Sequence, residues 1–70
     1  MTPEHMVHMA NQIARFFAAY PREQAVEGVV DHLKKFWEPR MRKDIEAYVA
    51  KGGQGLDALV VDAVKKLQTH

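Results

Sequence analysis

KFWEPRMR, residues 35–42, decides how this chain folds, because two helical patterns meet inside it and cannot be continuous. Before it, PREQAVEGVVDHLKKFW, residues 21–37, places Val26, Val29, Val30, Leu33, Phe36 and Trp37 at helical spacing. Glu27, Asp31, Lys34 and Lys35 face away, and Asp31 stands four residues before Lys35 in position for a surface pair. Pro39 ends that pattern, since its ring excludes the preceding residue from helical geometry and it has no amide to continue the ladder. The same proline suits the first position of a new helix, whose face is the narrow row Met41, Ile45, Tyr48 and Val49.

Working outward, Thr2 and Pro3 read as the cap and first residue of a helix in which Met6, Met9, Ala10, Ile13, Phe16, Phe17 and Tyr20 recur at three- and four-residue steps. With Val7 and Ala14 the apolar arc covers about half the circumference, wider than a single packing face needs, so part of it is free to meet another chain. Pro21 closes this helix and opens the next. At the other end Gly52 and Gly53 stop the third helix, GGQG (residues 52–55) reads as a flexible joint, and Asp57 is a suitable N-cap for ALVVDAVKKLQ. There Leu59, Val60, Ala63, Val64 and Leu67 form one stripe, and Asp62 stands in position to pair with Lys66. The expectation is an all-α fold: one domain over residues 1–70, a small compact bundle of about four short helices, antiparallel or orthogonal.

Composition narrows the function. A chain of 70 residues buries only about 60% of the surface its unfolded form exposes, and without cysteine it has neither disulfides nor thiolate metal sites to compensate. Ten Lys and Arg against nine Asp and Glu give a net charge of +1, far from a dedicated nucleic-acid binder. The N-terminus has no basic n-region and no window approaches a membrane span, so a cytoplasmic protein is expected. Catalysis lacks its usual parts: there is no Ser or Cys, Thr2 and Thr69 lie at the ends, and Glu23 and Glu27 fall on a solvated face. His5 and His8 are three apart but want a third ligand, His32 sits at the edge of an apolar face, and His70 is the chain end, where mobility is expected.

Two features point to recognition instead. His8, Asn11, Gln12 and Arg15 form a stripe of amides and cations suited to directional hydrogen bonds. In KFWEPRMR, Phe36 is expected to close the core, whereas Trp37, Arg40 and Arg42 belong to the residue types most enriched at interface hot spots, and arginine's planar fork grips carboxylates. The segment from Lys34 to Lys43 carries five basic residues and one acidic one, so the alternative is a free-standing helical regulator that binds nucleic acid through Lys34, Lys35, Arg40, Arg42 and Lys43.

MANQIARFF (residues 9–17), DHLKKFWEPRMR (31–42) and GLDALV (55–60) together resemble the delta subunit of NAD-dependent, molybdenum-containing formate dehydrogenase, in order and in spacing over most of the chain. Two mild departures are Glu38 where that family more often has Asp, and Ala58 where it more often has Pro. The resemblance implies a non-catalytic accessory subunit that binds the catalytic alpha subunit within a complex with beta and gamma, and that supports assembly, stability or cofactor insertion. It further implies no cofactor in this chain: molybdopterin guanine dinucleotide and iron–sulfur clusters reside on alpha, FMN on beta and a further cluster on gamma. Neither nucleic acid nor membrane is expected as a partner. The residues assigned to partner binding are Asn11, Gln12, Arg15, Phe17, Trp37, Arg40 and Arg42, and the broad arc of the first helix allows a homodimer when the chain is isolated.

Overall fold

The structure, a computed structural model, describes residues 2–69; His70 lies outside them. Four helices follow one another: α1 (Pro3–Phe17), α2 (Arg22–Phe36), α3 (Pro39–Ala50) and α4 (Ala58–Thr69), with no strand among the described residues. The expected all-α bundle is what forms.

Each boundary has a local cause. The Thr2 hydroxyl accepts a hydrogen bond from the His5 amide at 3.1 Å and Pro3 takes the first helical turn. α1 stops at Phe17, short of the expected Tyr20, because Pro21 bars Tyr20 from helical geometry and the residues between fold into a turn instead. At the far end of α3, the Gly53 amide bonds the Tyr48 carbonyl and the Gly52 amide bonds that of Val49, the paired closure of a Schellman motif. Both glycines hold positive φ, +119° and +61°.

The segment 52–55 is not the flexible joint its glycines suggested. The Tyr48 hydroxyl donates to the Gln54 carbonyl, the Asn11 side-chain amide donates to the Gly55 carbonyl at 3.0 Å, and the Asp57 amide donates to Asn11 Oδ1 at 2.8 Å. Glycine here supplies conformations other residues cannot adopt, and tertiary hydrogen bonds then hold them. Asp57 caps α4 as expected, its carboxylate accepting from the Leu59 amide at 2.8 Å.

α4 is the hub and packs on α1, α2 and α3. Among the described residues Leu33, Ile45, Val29, Val60 and Val64 are the largest fully buried side chains, and no polar side chain is buried with them. The outer charges fall out differently from the sequence expectation: Asp62 pairs with Arg22, and Lys66 with Glu27 at 2.6 Å. Both bridges tie α4 to α2, where the expected Asp62–Lys66 pair would have stayed within one helix. The Asp31–Lys35 pair forms as expected, at 3.0 Å.

Candidate interaction surface

The corner between α2 and α3 reverses the roles expected of its aromatics. Trp37 is only 5% exposed and belongs to the core, whereas Phe36 is 70% exposed. Helical periodicity fails one residue too early: Trp37 leaves α2 with extended backbone (φ −93°, ψ 132°), which turns its side chain inward. Phe36 is the last helical residue and stays largely exposed.

Arg42 is likewise committed inside the fold. Its Nη1 donates to the carbonyls of Lys34 (2.9 Å) and Trp37 (3.2 Å), with Leu33 at a longer 3.5 Å. A cation therefore caps the C-terminus of α2, where carbonyls lack intrahelical partners and the helix dipole is negative. Arg40 is exposed at the start of α3.

The polar stripe of α1 also divides. Asn11 is half-buried and spends both ends of its amide on the loop before α4, so it fastens α1 to the cap of that helix. Gln12 and Arg15 remain exposed and, with His8 and Asn11, line a shallow depression of about 160 Å³. Phe17 is half-buried over Gly28 of α2; a Cβ there would stand 2.5 Å from the ring.

The site residues that sequence reasoning placed elsewhere are Phe16, Tyr20 and Phe36, exposed by 71%, 50% and 70%. The excess width of the first apolar arc was the signal for Phe16 and Tyr20; Phe36, on α2, had none. Phe16 lies 100° around the helix from Phe17 and falls at the arc's outer edge. Its ring meets that of Phe17 edge-on at 5.1 Å, Phe17 lies 6.0 Å from Tyr20, and His32 lies 4.7 Å from Phe36. Half-buried Met9 and Ile13 continue the same flank of α1. Two aromatic groups result, Phe16–Phe17–Tyr20 at the end of α1 and His32–Phe36 at the end of α2.

Among the described residues no three His, Cys, Asp or Glu side chains gather where they could hold a metal ion, and no helix is long and apolar enough to cross a membrane. A family model described as "NADH-dependant formate dehydrogenase delta subunit FdsD" matches residues 5–64, most of the chain. No curated protein and no solved structure matches it.

Proposed function

This chain belongs to the formate dehydrogenase delta-subunit family, and we propose that it acts as a non-catalytic accessory subunit that binds the molybdenum-carrying catalytic subunit in the cytoplasm. In this reading it works beside the beta and gamma subunits and supports assembly, stability or cofactor insertion, while molybdopterin guanine dinucleotide, iron–sulfur clusters and FMN reside on its partners. The observation that carries the proposal is the exposure of Phe16, Tyr20 and Phe36. At about 200 Å² per aromatic side chain these fractions leave about 240 Å² open at Phe16 and Tyr20 and about 140 Å² at Phe36. So much open aromatic surface on so small a domain favours a partner that covers it. Of the assigned contacts, Gln12, Arg15 and Arg40 stay exposed, whereas Trp37 is buried and Arg42 and Asn11 bond within the fold.

The nucleic-acid reading loses ground to two contacts. Arg42 is spent on α2 carbonyls and Lys35 is paired with Asp31, which leaves Lys34, Arg40 and Lys43 of the five cations.

Native mass spectrometry of formate dehydrogenase purified through its catalytic subunit, with this chain co-expressed untagged, tests the proposal. Constant stoichiometry on molybdenum-loaded enzyme is the expected result for a lasting subunit. Enrichment on molybdenum-poor enzyme identifies an assembly factor that departs, and absence from both refutes the proposal.

A further inference from the structure

We infer that the outward face of α1 pairs, antiparallel, with the same face of a second copy of this chain; the inference does not rest on the accessory-subunit reading. Glu4, His8, Asn11 and Arg15 follow one another along α1 at steps of four, three and four residues, the spacing of a seam along which two helices lie side by side. Glu4 and Arg15 are eleven positions apart and so stand within about 20° of one line along the helix. Between them His8, Asn11 and Gln12 line, with Arg15, the shallow depression of this face. The row is acidic at one end and basic at the other, and both charges are open. Among the described residues neither Glu4 nor Arg15 has an ion-pair partner in its own chain. On α2 and α4, by contrast, six charges are closed in the pairs Arg22–Asp62, Glu27–Lys66 and Asp31–Lys35.

A half-turn about an axis across the middle of this row makes it complementary to itself. Glu4 then stands opposite Arg15 of the second copy and Arg15 opposite its Glu4, while His8 stands opposite its Asn11. Gln12, one turn on from His8, comes beside His8 of the second copy, so amides and imidazoles meet at the centre and ion pairs close both ends. Asn11 enters the contact already fixed by its bonds to Gly55 and Asp57. What the face requires of an occupant, a base opposite Glu4 and an acid opposite Arg15 at that separation, is what the face itself carries. The helix dipole accounts for an acid near the start of α1 and a base near its end, but not for setting both on one line with hydrogen-bonding groups between them. A parallel pair would set Glu4 against Glu4 and Arg15 against Arg15, so charge selects the antiparallel sense. Phe16 lies about 100° around the helix from Arg15 and stays clear of the contact. The row is about 17 Å long at 1.5 Å per residue and its ion pairs are exposed, so the dimer is weak and salt-sensitive.

Sedimentation equilibrium of the full chain at low salt, at concentrations up to about 1 mM, tests this. The parent should dimerise, and Glu4→Arg alone or Arg15→Glu alone should weaken the dimer by about 10-fold, because each change sets like charges together at both ends. The row of the first variant is basic at both ends and that of the second acidic at both, so an equimolar mixture should dimerise again. The double variant Glu4→Arg/Arg15→Glu should recover the parent's dimer although it carries the helix-end cost of both changes, which circular dichroism reads separately. Phe16→Ser and Phe36→Ser should leave the dimer unchanged. A parent that stays monomeric at the highest concentration, a mixture no more dimeric than its components, or a dimer lost with Phe16→Ser or Phe36→Ser overturns the inference and leaves the accessory-subunit reading standing.

Discussion

Replacing Arg42 with methionine keeps the apolar stem and removes the charged donor that closes the end of α2. Two well-formed bonds, at 2.9 and 3.2 Å, and one long contact at 3.5 Å disappear. Hydrogen bonds from a charged group contribute about 1.5–3 kcal/mol, but water can reach part of this helix end, so the expected loss is about 1.5–2 kcal/mol. A domain of this size has a total stability of about 3.5–10 kcal/mol, and each kcal/mol moves the thermal midpoint by about 4–8 °C. Arg42→Met should therefore lower the midpoint by about 6–16 °C. Trp37, the single tryptophan, is buried beside the corner and reports the transition by fluorescence, with helicity by circular dichroism as a second probe. Arg42→Lys should fall between parent and Arg42→Met, since a compact ammonium cannot reproduce the geometry of the guanidinium. A midpoint for Arg42→Met within about 2 °C of the parent would refute the capping role, because it corresponds to under about 0.5 kcal/mol.

Other expectations follow from the same contacts. Asn11→Asp removes the donor to the Gly55 carbonyl and sets a carboxylate against it, so the urea midpoint should drop by the equivalent of about 1–2 kcal/mol; an unchanged midpoint would show that the clamp is dispensable. Trp37→Ala should cost about 3–5 kcal/mol and leave much of the chain unfolded at room temperature by circular dichroism, whereas Phe36→Ser should stay within about 0.5 kcal/mol of the parent; the opposite ranking would restore the original assignment of the corner. Gly28→Ala gains about 1 kcal/mol of helix propensity but forces the Phe17 ring off α2 at a cost of about 1–3 kcal/mol, so a net loss is expected in chemical denaturation and a net gain would mean that the ring moves freely.

The four helices were legible because each is written in local terms: Thr2 before Pro3, Pro21, Pro39, the glycines at 52 and 53, and Asp57 act on their immediate neighbours. The core stripes of α2 and α4 were legible for a related reason, since helical rotation places Val29, Leu33, Val60 and Val64 on single faces. At the corner that logic failed. Which of two adjacent aromatics is buried depends on where the helix stops and what lies beyond it, and Trp37 turns inward only because its backbone is already extended.

The candidate surface was legible in part. A broad apolar arc on α1 announced that something must cover it, but rotation alone could not say that Phe16 and Phe36 stay open while Phe17 closes on Gly28. Polar side chains were the least legible. Asn11, Arg42 and Asp62 have the chemistry of interface residues and meet their partners 46, 8 and 40 positions away within the same chain. By itself the sequence determined the helices, most of their ends and the family, because caps, breakers and periodicity act over a few residues. Only the tertiary structure decided which hydrogen-bonding and aromatic groups remain for a partner, because that depends on which carbonyls, amides and rings the folded chain brings within reach of them.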